Sequence, residues 1–307
     1  MALTEIQKNL LKEVAGIEAI PQGAYNIRVD GELSSRNSTA NIEIISKTDK
    51  PGIDIIIKKG TKKQRVDLPV ILTKSGIKDV VYNDFYVEDD CDVTIVAGCG
   101  ICNTGEHDSE HNGVHSFHVG RNSKVVYIEK HYGEGDGNGD RILNPTTAIE
   151  IDENSYMEMQ TAQIKGVDSS FRKTTATLKD NASLVIHENI MTHGKQVADT
   201  DFVVDLNGKD SSCHVVSRSI AKDKSFQRYV STINGNQRCN GRTECDAIIM
   251  NDGKVVAEPK LTANHIDASL VHEAAIGKIA GEQLIKLMSL GLTESQAEEK
   301  IVNGFLK

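Results

Sequence analysis

The chain has 307 residues, of which 38% are hydrophobic and 26% charged, and its formal net charge at pH 7 is −9. That length allows one large domain or two ordinary ones, and the acidic balance argues against a nucleic-acid backbone as the main partner. No apolar run approaches the roughly 20 residues that cross a bilayer, and the start, MALTEIQKNLLKEVAG, lacks the features of a signal peptide. We therefore expect a cytoplasmic protein that binds neither nucleic acid nor membrane.

The first segment, residues 1–20, predicts a short N-terminal helix. Thr4 and Gln7 have the spacing of a capping box, in which each side chain bonds the other residue's backbone. Apolar residues then recur at helical period, among them Leu10 and Val14.

Residues 21–262 predict a β core, because short runs such as KVVYIEKHYG and ASLVIHENIM alternate apolar and polar residues between turn residues. An Asn or Asp recurs midway between two apolar residues, at Asp90, Asn122, Asn154, Asn181 and Asp223, with intervals of 32, 32, 27 and 42 residues. This repeat indicates the stacked rungs of a β-solenoid. Asn and Asp turns also connect ordinary hairpins, so the pattern alone leaves a β-sandwich or jelly roll open.

The last segment, residues 263–307, predicts a helical pair. The stretch EAAIGKIAGEQLIKLMSLG has apolar residues at helical period from Glu273 onwards, and Gly291 suits a helix stop. A second helix is predicted from Thr293, which again has a capping-box partner in Gln296.

The densest group of metal-ligating residues is AGCGICNTGEHDSEHNGVHSFHVG. Six cysteines are too few for a disulfide scaffold of this length, so we expect core thiols, metal ligands or reactive groups. The pair Cys99 and Cys102 has metal-ligand spacing, and nearby imidazoles could complete a zinc or iron site. The additional ligands predicted here are Cys102, His107, His111 and His115. The alternative is a polar turn, and on a strand His115 and His118 would face opposite sides.

A second group lies around Cys245. Arg238 and Arg242 are expected to favour its thiolate, and His272 and Glu273 could join it in one iron-binding pocket. The alternatives are a half-buried structural thiol and a surface His-Glu pair at a helix start.

The glycine-rich stretch GEGDGNGDR lacks the lysine of a phosphate-binding loop and is interpreted as a mobile loop. The sequence also lacks the Gly-x-Ser-x-Gly motif of a serine hydrolase.

The segment VHEAAIGKIAGEQLIKLMSLGLTESQAEEKIVNGF, preceded by Cys245-Asp246 at the start of an apolar strand, resembles the SufB/SufD family of SUF iron–sulfur cluster assembly. HGKQVADTD, residues 193–201, is similar to a second segment of that family. The resemblance covers about residues 90–307 and carries nothing over to residues 1–80. It implies a mainly β fold, a right-handed parallel β-helix core flanked by the helices at each end.

The resemblance also implies roles for individual residues. Cys245 corresponds to a sulfur acceptor and cluster ligand, and Cys99 to the position where sulfur arrives. With His272 and Glu273, Cys245 would hold the nascent cluster. Docking of a SufC-type ATPase is expected at the C-terminal helices, through Gly277, Gln283, Leu284, Leu287, Gly291 and Phe305.

The expected function is therefore that of a scaffold, not an enzyme, with ATPase activity in the partner subunit. A transient iron–sulfur cluster and iron would be its cargo, and a separate protein would donate sulfur. Because the chain combines the SufB-like Cys and Glu with the SufD-like His, we expect a homodimer. The alternatives are a zinc- or iron-dependent enzyme using Cys99, His107, His111 and His115 on a β-solenoid or barrel, and a purely structural solenoid.

Overall fold

The computed structural model describes residues 3–306. In chain order the elements of this range are α1 (Glu5–Ala15), β1 (Ala24–Val29), β2 (Glu32–Asn37), β3 (Ile42–Ser46), β4 (Gly52–Ile57), β5 (Lys62–Asp67), β6 (Val70–Leu72), β7 (Lys78–Val87), β8 (Asp92–Cys102), β9 (Ser109–Val119), β10 (Lys124–Glu134), β11 (Arg141–Leu143), β12 (Thr146–Ile151), β13 (Tyr156–Lys165), β14 (Ser169–Leu178), β15 (Ser183–Thr192), β16 (Val197–Leu206), β17 (Ser211–Ala221), β18 (Phe226–Gly235), β19 (Cys239–Ile249), β20 (Lys254–Ala263), β21 (Ala268–Gly277), α2 (Gly281–Ser289) and α3 (Glu294–Phe305).

The strands form two sheets that face each other across the core. Sheet 1 has the order β2-β1-β5-β8-β10-β13-β15-β17-β19-β21, with β6 beside β1 and β8, and sheet 2 has the order β20-β18-β16-β14-β11-β9-β7-β4-β3, with β12 between β14 and β9. Only two of the described pairs, β1–β2 and β3–β4 at the N-terminal end, are antiparallel. Because the chain alternates between two otherwise parallel sheets, it winds as a β-solenoid, and a sandwich of antiparallel sheets is excluded.

The repeated Asn/Asp positions are the turns between rungs. Asp90, Asn122, Asn154 and Asn181 have φ between 54° and 59°, a left-handed conformation that Asn and Asp tolerate better than other side chains. Their side chains also stack, as where Asn122 Nδ2 donates to Asp90 Oδ1 at 3.3 Å. Asp223 is a turn of the opposite edge, because it connects sheet 1 to sheet 2. The last interval of the repeat, from Asn181 to Asp223, is therefore irregular because it runs from a turn at one edge to a turn at the other.

Helix α1 packs on the outer face of sheet 1. Its predicted capping box between Thr4 and Gln7 is present, and Leu10 and Val14 are buried against the sheet. The approach is close because Gly98 has no side chain: a Cβ there would lie 2.2 Å from the Val14 carbonyl oxygen.

The predicted helix from Glu273 is wrong at its start. Residues 268–277 form strand β21, which pairs with β19 in an unbroken parallel register, and the helix begins only at Gly281. The alternating exposure in the first half of β21 shows that strand pairing overrides the helical period of the apolar residues. The second helix, α3, has the predicted capping box between Thr293 and Gln296.

In residues 3–306 no helix combines the length and the apolar character needed to cross a membrane.

Candidate functional site

The inward side chains of sheet 1 form columns, because its strands are parallel and in register. One column runs across six strands through Ala97, Glu129, Thr161, Glu188, Ser217 and Cys245. The adjacent column, two residues along each strand, begins with Cys99, His131 and Gln163. At a spacing of about 4.8 Å per strand, a band of mostly polar side chains thus spans the roughly 24 Å from the rung of Cys99 to that of Cys245.

An ionised network lies in the middle of this polar band. Arg172, which faces inward from sheet 2, donates from Nη1 to Glu129 Oε2, and its Nε lies 3.6 Å from Glu188 Oε1. Glu188 also accepts hydrogen bonds from Thr200 at 3.1 Å and Ser217 at 3.0 Å. All these side chains are buried, so the interior contains charge that is satisfied by its neighbours rather than by solvent.

The two cysteines assigned to sulfur handling are buried, and their thiols are held protonated. Burial, with smaller contributions from Glu188 and Asp246, raises the pKa of Cys245 to about 12. Burial followed by the charges of Glu129 and Asp79 raises the pKa of Cys99 well above its usual range.

The expectation that two arginines would favour the Cys245 thiolate is therefore wrong. Arg238 pairs with Asp210, and Arg242 pairs with Glu244 and Glu273. These ion pairs are exposed, whereas Cys245 faces the core on the opposite side of the strand.

His272 and Glu273 lie on opposite faces of β21, since successive strand residues alternate. His272 pairs in register with Thr243, and Cys245 with Ala274, so His272 and Cys245 share the inward face on adjacent strands, offset by two residues. His272 Nδ1 is buried and has no hydrogen-bond partner among residues 3–306. Glu273 instead accepts from Arg242 Nη2 at 2.8 Å on the outer face. Of the three predicted cluster residues, Cys245 and His272 thus lie on the same face within one chain, and Glu273 lies on the other.

The Cys99–His118 segment is divided between three environments. Cys99 faces the interior, but Cys102 lies on the outer face of sheet 1 under α1. His107 is exposed in the loop after β8. The predicted shared site therefore does not form from these side chains: a spacing of three on a strand points two cysteines to opposite faces.

His111 and His115 both face inward from β9, whereas His118 faces outward, as predicted, and lies 3.0 Å from Glu150. His111 Nδ1 lies 2.9 Å from Asp79 Oδ2, and its buried Nε2 has no hydrogen-bond partner within the described range. Burial lowers the pKa of His115 to about 4, so the imidazole is neutral. Among the described residues no group of three or more His, Cys, Asp or Glu side chains is arranged to hold a metal ion.

The glycine-rich stretch is packed, contrary to its interpretation as a mobile loop. Gly137 N donates to Asn103 O at 3.2 Å, and Gly139 N donates to Gly105 O at 3.0 Å. A Cβ at Gly137 or Gly139 would lie 2.4 or 2.2 Å from backbone atoms of the loop at residues 103–108. The glycines are needed for backbone-to-backbone contact between neighbouring rungs.

The residues expected to contact a partner lie at the C-terminal end. Gly277 ends β21, Gln283, Leu284 and Leu287 lie in α2, and Gly291 adopts a left-handed turn with φ of 94°. Helix α2 has no buried residue, and Ile285 and Leu290 are 67% and 76% exposed. Phe305 packs instead against a cluster that includes Ile220 and Val302.

Four buried polar residues of the band are not among the site residues predicted from the sequence: Glu129, His131, Arg172 and Glu188. Glu129 and His131 continue the inward parity of Val125 and Tyr127 in β10, so polar residues at core-facing positions of a strand were the available signal. The contact of Arg172 with Glu129 and Glu188 depends on how strands of different rungs are placed, and the periodicity within a strand does not specify that.

Comparison with known proteins identifies a match to the family model described as the SufBD core domain of the SUF system of iron–sulfur cluster assembly, over residues 79–305. An iron–sulfur cluster assembly SufBD family protein of Methanocaldococcus jannaschii is 29% identical over 255 residues, which is 82% of this chain and 79% of that protein. One from Archaeoglobus fulgidus is 27% identical over 251 residues, covering 79% of this chain and 65% of that protein.

Other similar proteins are matched over shorter parts. A SufBD family protein of Methanothermobacter thermautotrophicus is 29% identical over 239 residues, or 56% of its length. The iron–sulfur cluster assembly protein SufB of Bacillus subtilis is 36% identical over 104 residues, or 32% of this chain and 22% of that protein.

Proposed function

Because the chain belongs to the SufB/SufD family of the SUF system of iron–sulfur cluster assembly, we propose that it is a scaffold on which a nascent cluster is built, and not an enzyme. The observation that carries this proposal is the shared inward face of Cys245 and His272 near the C-terminal end of the solenoid. There a thiol lies on one strand, and an imidazole nitrogen that has no partner in the described part of the chain lies on the neighbouring strand. Both groups are iron ligands.

Sulfur would arrive at Cys99 from a donor protein and reach Cys245 along the polar band of sheet 1. The raised pKa of Cys245 is compatible with this role, because iron displaces the proton of a coordinating thiol as it binds. The interior would thus keep Cys245 unreactive until sulfur and iron are both delivered.

The same end of the molecule offers the surfaces proposed for partners. Strands β20 and β21 end the two sheets and expose apolar side chains, including Val271 and Ile276. We assign this edge to a second copy of the chain, with Glu273 at the interface on the outer face. The unburied apolar side chains of α2 are assigned to a SufC-type ATPase in the cytoplasm.

The proposal is tested by anaerobic reconstitution of the full chain with iron and sulfide, followed by visible absorption. We expect the absorption to be lost in Cys245→Ala and at least halved in His272→Ala, because each removes a ligand. Cys213→Ala is the matched control, since burial raises the pKa of Cys213 to about 12 as well. Equal absorption in Cys245→Ala and the wild type would refute the assignment.

A further inference from the structure

Three unpartnered polar atoms lie in one row on the inward face of sheet 2. His115 in β9 pairs in register with Thr147 in β12, and Thr147 pairs with Thr174 in β14. Their exposures are 4%, 1% and 1%. His115 Nδ1 and the hydroxyl oxygens of both threonines are buried, and none of the three has a hydrogen-bond partner among residues 3–306. We call these three side chains the polar row of sheet 2.

The backbone of the sheet does not supply the missing partners. In a parallel sheet the N–H and C=O groups lie in the plane of the sheet and bond the neighbouring strands, and β12 has β9 on one side and β14 on the other. A buried hydroxyl or imidazole nitrogen without a partner is costly, and native proteins seldom leave such groups unsatisfied. Three of them on adjacent strands therefore point to a bound ligand.

The spacing of the polar row fits water. Side chains in register on adjacent strands are about 4.8 Å apart, which is too far for two hydroxyls to bond directly, because an O–H···O bond is about 2.8 Å long. A water molecule that makes two bonds of this length at its tetrahedral angle joins atoms about 4.6 Å apart. One water between each pair of neighbouring strands would thus reach all three polar atoms.

The chemistry of the polar row also fits a small neutral molecule. A hydroxyl both donates and accepts. Burial lowers the pKa of His115 to about 4, so its ring is neutral at pH 7, and Nδ1 either donates or accepts according to the tautomer. Water can serve both tautomers, because it donates two hydrogen bonds and accepts two. The row itself carries no charge that would hold an ion.

The polar row borders the ionised network in the middle of the solenoid. His115 Nε2 lies 3.9 Å from Glu129 Oε1, and Thr174 is two residues from Arg172 on the same face of β14. The row ends at Phe202, which pairs in register with Thr174 and is fully buried. A ligand of the row would therefore lie next to a buried ion pair, which is stabilised by further hydrogen-bonding groups around it.

We propose that the polar row of sheet 2 is an internal water-binding site, in which ordered water molecules bridge His115, Thr147 and Thr174. Buried waters of this kind make about three hydrogen bonds each to otherwise unsatisfied groups and are part of the structure. The inference goes beyond the scaffold role, because it rests only on strand register and on unpartnered atoms. Its consequence is that the interior of the solenoid is hydrated between β9 and β14.

The direct test is a crystal structure of the full chain at a resolution that shows ordered water. We expect density about 2.7–3.2 Å from at least two of the three polar atoms of the row. In Thr174→Val the water beside residue 174 should be lost while the strands keep their register. Side chains of the row that pack together with no density between them, or that bond other protein groups directly, would overturn the proposal.

Thermal unfolding gives an independent readout. Valine has nearly the shape of threonine but forms no hydrogen bond, so Thr174→Val deprives a bound water of a partner. We expect its melting temperature to fall by about 2–4 °C, and Thr147→Val should behave in the same way. Thr175→Val is the matched control, because it makes the same change at the next residue of β14, on the outer face, where little effect is expected.

A dry row would give the opposite sign. There the Thr174 hydroxyl would be buried without any partner, and replacing it with a methyl group would remove an unfavourable group. A melting temperature of Thr174→Val that equals or exceeds that of the wild type would therefore refute the water site.

Discussion

At the scale of single residues, the interior is organised around Arg172, whose guanidinium is shared by two carboxylates. The pKa of Glu129 is held well below its usual range, because Arg172 and His131 outweigh the effect of burial. The pKa of Glu188 is raised, because burial outweighs an arginine whose Nε is 3.6 Å away. The carboxylate in direct contact with Arg172 thus has the lowered pKa, and the more distant one has the raised pKa.

Replacing this arginine should destabilise the fold in a pH-dependent manner. Arg172→Met leaves Glu129 buried without its partner, so we expect the free energy of unfolding in urea at pH 7 to fall by about 3–5 kcal/mol. Arg228→Met is the control, since Arg228 pairs with Asp199 and Glu258 on the outer face, where little change is expected.

The pH dependence has a definite sign. The pKa of Glu129 in the folded state lies below its ordinary value of 4.5. Its contribution to folding stability is therefore complete above pH 4.5, and is lost as the pH falls towards the folded-state pKa. The difference in unfolding free energy between the wild type and Arg172→Met should therefore become smaller at acid pH. An equal gap at pH 7 and in acid would contradict an electrostatic origin.

At the scale of elements, the loops between strands set the length of each rung. Loops of six residues, 103–108 and 135–140, follow β8 and β10, whereas only residues 166–168 follow β13. The long loops stack on each other through glycine backbones. The Asn/Asp interval falls from 32 residues to 27 once the stack ends. The shorter loop accounts for three of these five residues, and the strands on either side, β13 and β14, account for one residue each.

The stack leaves no room for a side chain at Gly139. In Gly139→Ala the new Cβ would meet the His107 carbonyl oxygen, and we expect a loss of about 1–3 kcal/mol in stability, measured by thermal unfolding. Gly304→Ala lies in α3, where the new Cβ would have no atom of residues 3–306 within 4 Å, and should be neutral or stabilising by up to about 1 kcal/mol. Equal melting temperatures for Gly139→Ala and the wild type would contradict the tight stack.

At the scale of the whole molecule, the two ends of the solenoid differ. The N-terminal end finishes in antiparallel pairs, β1–β2 and β3–β4. The C-terminal end finishes in strands β20 and β21, most of whose second halves are exposed. A parallel edge with exposed apolar side chains invites pairing, so this end is where assembly is expected.

Two substitutions at this end should separate the proposed partners. Val271→Glu on the β21 edge should convert a dimer to a monomer in sedimentation velocity while keeping a co-expressed SufC-type ATPase. Ile285→Glu on α2 should lose the ATPase in co-purification while remaining dimeric, because a buried carboxylate is costly at either apolar interface. Each variant is the other's control, and loss of both partners by either one would contradict two separate surfaces.

The repeat of Asn/Asp turns between strands and both capping boxes could be predicted from the sequence. These depend on local rules: period-two alternation, left-handed Asn/Asp turns and reciprocal capping bonds. The same local rules failed at β21, where a helical period lay in a strand because pairing with β19 supplied hydrogen bonds that a local helix could not match.

Which chemical groups meet in the interior depends on the pairing of strands from different rungs. The tertiary structure placed Arg172 between two carboxylates from other rungs, put His272 and Glu273 on opposite faces of β21, and set His131 in register with Cys99. Each of these depends on strand register, because a shift of one residue exchanges the inward and outward faces. Register is fixed by pairing between residues about 30 positions apart, and no short stretch of this sequence contains that information.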